Sequence, residues 1–398
     1  MTTTSEQVRA WKGPTILSYG YRPFFLLAGI WAAFAMLVWI LILTGNFKLP
    51  TRFDPVSWHA HEVLFGYLPA VAAGFLLTAV PNWTGRLPIV GWRLGGLVAL
   101  WIAGRLAVML SALIPALAAA VIDLSFLTVF ALAIGREIVA GRNWRNLMVL
   151  GLLTLLLFAS ALFHWEAAQG GTAASGYGLR LGLAAGVTFI SLIGGRIVPS
   201  FTRNWLAKQG SKARPAPLNR LDTLTLAGTF IALVVWVLLP DHPISALLNL
   251  LAGAANVLRL SRWSGLHTLS EPLVWILHVG FAFIPLGFLT LGLSGLIPSF
   301  DAAVEAQHLW MAGAIGVMTL AVMTRASLGH AGRPLAATPA ITLLYVALII
   351  SVVTRFLAAF LDGQDWIIHL SATGWILAFT GFAIIYWPIL TRPRPAKS

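Results

Sequence analysis

The sequence predicts an all-α, polytopic integral membrane protein with twelve transmembrane helices, and three observations carry that reading. Of its 398 residues, 59% are hydrophobic and only 10% charged, and the mean hydropathy is +0.85, a balance foreign to soluble domains. The apolar residues are gathered into runs of roughly 20, the length that crosses a bilayer. The basic residues fall in alternate loops. The formal net charge of +13 is therefore topology and not a nucleic-acid footprint.

In chain order, the first span covers residues 24–43, the second about 62–80 and the third 94–113. The fourth, 116–134, follows a turn at Ile114-Pro115 that is almost free of polar residues, which predicts a tight antiparallel hairpin. The fifth covers 147–163 and the sixth 179–198. After it comes the longest hydrophilic stretch, 203–222, read as a cytoplasmic linker between helices 6 and 7 inside one twelve-helix domain over 1–398. Further spans lie at 224–239, 244–260, 272–293, within 305–335, and at 341–360 and 366–389.

With both termini in the cytoplasm, all but five of the 26 Lys and Arg face that side; Lys48, Arg52 and Arg180 lie outside, and Arg105 and Arg355 lie within helices. Such an asymmetry sets orientation. The first apolar run starts after about twenty polar-to-mixed residues and is a full span, so no cleavable signal is expected. Several of the 17 Trp (Trp58, Trp83, Trp92, Trp263, Trp366) fall at span ends, where amphipathic rings favour the headgroup level.

Cysteine is absent. Disulfides, thiolate metal sites, iron–sulfur clusters and covalent c-type haem are excluded, leaving His, Met or oxygen as metal ligands. The span 305–335 organises the nine His. His308 enters it and His330 leaves it, 22 positions on, so they are ~33 Å apart along a continuous helix and define two sites at different depths. His59, His61, His164, His242 and His369 share the outer level with His308; His278 is deep in the ninth span; His267 and His330 lie on the cytoplasmic side.

The outer group is WHAHE, 58–62. Residues two apart diverge on a regular helix, so His59 and His61 converge only if this segment is still entering its helix. With His164 and His308 at matching depth they form a candidate copper or iron site, with Glu62 or Glu305 supporting a ligand. The inner group is His278 and His330, which suit a b-type haem between two imidazoles. Arg86, Arg196, Arg203 and Arg333 fall on this side as propionate partners, although the positive-inside bias alone also places them there. Pro285 is expected to kink the ninth span and open room for a ring-sized ligand. Arg105 and Asp123 lie eight to ten residues either side of the Ile114-Pro115 turn. An unpaired charge at that depth costs ~2.5–3.5 kcal/mol or more, so an intramembrane Arg105–Asp123 pair is expected, the alternative being a propionate-bound Arg105 and a proton-conducting Asp123. One weaker regularity links the second and tenth spans: His61 precedes Gly66 by five and Gly85-Arg86 by 24 and 25, as His308 precedes Gly313 and Gly332-Arg333.

WHAHEVLFGYLPAVAAGFLLTAVPNWTGR (58–86), GGRIVPSFTRN (194–204), EPLVWILHVGFAFIPLGF (271–288) and HLWMAGAIGVMTLAVMTRASLGHAGRPL (308–335) resemble the signature stretches of the NnrS family. The resemblance implies a twelve-span protein of the bacterial inner membrane that binds haem and copper and protects against nitric oxide. It matches the family pattern at His59, His61, His164, His278, His308 and His330; His242, His267 and His369 lie outside the motifs. The expected activity is binding and reduction of nitric oxide at His-ligated metals, with electrons from a membrane donor, quinol or a redox protein. A transporter or metal-handling protein with a His-lined path is the competing class.

Overall fold

Proline and capping side chains decide where the apolar runs become helices. In a computed structural model, which describes residues 11–361 and 363–394, twelve helices are long and apolar enough to cross a membrane: α1 Tyr21–Leu43, α2 Pro55–Thr84, α3 Trp92–Met109, α4 Ala116–Ala140, α5 Trp144–Ala168, α6 Tyr177–Lys208, α7 Arg220–Leu238, α8 Pro243–Ser261, α9 Pro272–Leu296, α10 Ala303–His330, α11 Pro339–Phe360 and α12 Asp365–Thr391. No strand occurs among the described residues. Both chain ends, assigned above to the cytoplasm, lie partly outside them.

The bounds depart from the sequence expectation in informative places. Asp54 caps α2 by accepting from Ser57 N at 3.0 Å, and Pro55 occupies its first turn, where its missing N–H costs nothing. The helix thus starts before the WHAHE motif, which is not an entry loop. At the far end of α6 the chain stays helical through Arg203 and Asn204 to Lys208, and Gly210, at φ +66°, ends it. The connection to α7 shrinks to 209–219. Arg259 and Arg325, counted among loop charges, are buried within α8 and α10. Arg259 reaches Asp222 at 3.3 Å and Ser191 O at 3.3 Å.

The chain divides into two compact units. One holds the described residues up to Gly182 with 326–334 and 379–394; the other holds 183–325 and 335–378. In the first, α2 is π-helical from Glu62 to Tyr67, directly after His61. In the second, α10 is π-helical from Leu309 to Val317, directly after His308. In each unit the acid beside that wide turn pairs with an Arg near the end of the next helix: Glu62 with Arg105 at 2.6 Å, and Glu305 with Arg355 at 3.4 Å. The likeness between the second and tenth spans thus extends to backbone form, and π-helical turns of this kind concentrate at functional sites.

The expected space beside Pro285 is filled. Trp310, fully buried, donates its indole N–H to Ile284 O at 3.1 Å. It lies so close to Gly287 that a Cβ there would overlap the indole. The ring that occupies this gap is the protein's own.

A candidate metal centre

The charged residues predicted to meet inside the membrane do meet, and they bring two histidines with them. Arg105 on α3 pairs with Asp123 on α4, as the hairpin spacing requires. It is also gripped by Glu62 of α2, so one guanidinium serves two buried carboxylates. Two glycines make room: a Cβ on Gly66 would lie 2.5 Å from Arg105 Nη1, and one on Gly104 would lie 2.9 Å from Asp123 Oδ1.

The second oxygen of Asp123 faces the imidazoles. His164 Nε2 lies 3.0 Å from Oδ2, and His61 Nε2 lies 3.3 Å from the same atom. One ligand atom each from His61, Asp123 and His164 lie within 4.8 Å of one another, and all three residues are buried. His61 Nε2 makes no hydrogen bond despite its burial. Its other nitrogen, Nδ1, sits 3.2 Å from Glu62 Oε1. With Nδ1–H donated to that carboxylate, the Nε2 lone pair points inward. An aromatic wall surrounds the pair: Phe53 stacks on His61 with centroids 5.2 Å apart, and Phe65 and Phe163 flank the same imidazole at 5.4 and 5.5 Å.

Charge balance sharpens the chemistry. With neutral imidazoles, two carboxylates face one guanidinium, leaving one negative charge in a medium that tolerates none. The imidazole pair balances it by taking a proton or by holding a cation. Two imidazole nitrogens and one carboxylate oxygen suit copper, iron or zinc, and leave positions open for a small ligand.

The remaining sequence candidates have separate settings. Residues 55–61 being regular helix, His59 diverges from His61 and stacks on Trp39 with centroids 4.6 Å apart. His308 lies in the other unit, with Nδ1 2.9 Å from Val304 O. His278 is buried with Nε2 2.8 Å from Thr202 Oγ1, and a Cβ on Gly265 would meet its Nδ1 at 2.7 Å. His330 stacks on Tyr19 and lies against Tyr21, at 5.9 and 5.3 Å. Arg86 pairs with Glu137; it, Arg196, Arg203 and Arg333 are all exposed. The sequence alone did not reveal Glu62 as a second partner of Arg105. Its signal was the five-residue step from His61 to Gly66, which leaves room for that pair.

Fold and site together define a polytopic membrane protein with a buried His–Asp–His cluster able to hold a metal ion. A model of the NnrS protein family matches residues 15–394. The chain belongs to the NnrS family, and is thereby a membrane protein of the nitric oxide stress response. No curated protein matches it.

Proposed function

We propose that this chain is a haem- and copper-binding redox protein of the bacterial inner membrane that binds and reduces nitric oxide, with His61, His164 and Asp123 holding one of its metals. The observation that carries this is the buried, unbonded Nε2 of His61 aimed at the same carboxylate oxygen as His164. Copper fits the donor set, and iron fits it equally. When bound, the metal supplies a one-electron centre with an open position for a diatomic ligand. The protein's own residues do the rest. Glu62 fixes the tautomer of His61, Arg105 holds Asp123 in place, and Phe53, Phe65 and Phe163 keep the imidazoles dry. The histidines kept as haem-ligand candidates are each taken within their own unit: His278, buried with Nε2 2.8 Å from Thr202 Oγ1, in the second, and His330, against Tyr19 and Tyr21, in the first.

Anaerobic titration of the full-length chain with nitric oxide, followed optically and with a nitric oxide electrode in the presence of a quinol, tests this. A Soret band that shifts on adding nitric oxide, with quinol-dependent consumption, is expected. Absence of the band after metal-replete expression contradicts the proposal. Metal uptake into vesicles without consumption would favour the metal-handling class.

A further inference from the structure

On the basic side of the first unit, away from the metal centre, the chain builds a groove of about 1220 Å³ between the α2–α3 loop and the end of α4. Its roof is made by the segment before α1. Gly91 N donates to Leu17 O at 2.8 Å, and Trp11 lies across Gly91, which has φ +69° and whose Cβ would come within 2.7 Å of the indole. Only glycine satisfies both the positive φ and that close approach. Trp11 meets Trp92 edge-on at 6.2 Å, and Trp92 is 74% exposed.

The lining has two characters. One wall carries Arg86, Arg93 and Arg136 against the single acid Glu137, leaving two net positive charges. The Glu137 side chain is 9% exposed and takes Arg86 and Arg136, yet those arginines remain 43% and 66% exposed, so their outer N–H groups face the groove or solvent. No side chain caps the N-terminus of α3, whose positive dipole end adds to the same field. The other wall is apolar: Val129 and Leu132 of α4 line it, and Leu132 is 68% exposed. A polar, cationic end at the ends of spanning helices, continuing into an apolar face along one of them, complements one kind of molecule.

We propose that this groove is a specific site for an anionic phospholipid, its phosphate held by Arg86, Arg93 and Arg136 and one acyl chain laid along Val129 and Leu132. Basic pockets at helix ends hold anionic headgroups, and each Arg near the surface contributes roughly fivefold in affinity. Two net charges then favour an anionic over a zwitterionic headgroup by roughly 25-fold. The site is independent of the metal chemistry.

Native mass spectrometry of the full-length chain, delipidated and titrated with phosphatidylglycerol or phosphatidylcholine of matched acyl chains, reads this directly. One phosphatidylglycerol should be retained roughly 25-fold more tightly. The R93Q/R136Q double variant should bring it to the phosphatidylcholine level, and R214Q, a basic loop residue of the other unit, should leave it unchanged. Should the double variant fail to fold, L132W keeps every charge and fills the apolar wall, so retention should still fall. Equal retention of both lipids, equal loss in R214Q, or displacement by millimolar inorganic phosphate alone would overturn the proposal. So would loss of haem from R93Q/R136Q with lipid binding unchanged.

Discussion

Replacing Asp123 by Asn and Arg105 by Gln separates charge balance from simple packing, because the two variants unbalance the cluster in opposite ways. In D123N, Glu62 and Arg105 remain as one neutral pair at 2.6 Å, and the new amide oxygen still accepts from Arg105. The expected cost is that of a weakened hydrogen bond to a charged group, about 1.5–3 kcal/mol. In R105Q, two buried carboxylates lose their shared cation. Breaking a buried pair costs about 3–5 kcal/mol for each charge left uncompensated, which rivals the whole stability of a typical fold, about 5–15 kcal/mol. D123N should therefore assemble and R105Q should not, as read by size-exclusion profiles and thermal melts in detergent. D123N should nonetheless lose its metal, since both the ligand oxygen and the charge that calls for a cation are gone. Equal destabilisation by the two substitutions, or full metal content in D123N, would refute the reasoning. Because Glu62 also grips Arg105, assembly of D123N does not by itself argue for a proton path through Asp123.

Three further outcomes follow from the geometry. Glu62→Gln should weaken metal binding by about 10–100-fold through loss of the carboxylate that orients His61, measured by competition with a chelator. Gly66→Ala forces a Cβ to within 2.5 Å of Arg105 Nη1 and should destabilise the chain by about 1–3 kcal/mol, the usual range for overpacking, with a parallel loss of metal on elemental analysis. His59→Ala should leave metal content intact while removing its stacking on Trp39, as elemental analysis and thermal melts of that variant would show.

The membrane class and the span count were legible because hydropathy over 20 residues is a strong, local signal. The Arg105–Asp123 pair was legible because a tight hairpin fixes relative depth. Which histidine joined it was not. That hinged on whether α2 starts before or after WHAHE, and the Asp54-Pro55 start settles it by a cap only a few residues long. His164 could be placed by depth but not by direction, since rotation about α5 follows from packing: Gly178 admits Phe163 so closely that a Cβ would lie 2.5 Å from its backbone nitrogen. The gap expected at Pro285 failed for a related reason, because a kink shows where space can open and not what fills it.

That His61, His164 and Asp123 hold a redox metal which meets nitric oxide is tested most directly by elemental analysis with electron paramagnetic resonance. The samples are purified wild type, H61A and H164A, before and after nitric oxide. The expected result is one copper, or one iron beyond that of the haem, per chain with nitrogen hyperfine coupling that nitric oxide alters, and loss of that metal and that signal in either variant while haem absorbance and haem iron persist. Unchanged metal content and an unchanged nitric oxide response in H61A and H164A would contradict it.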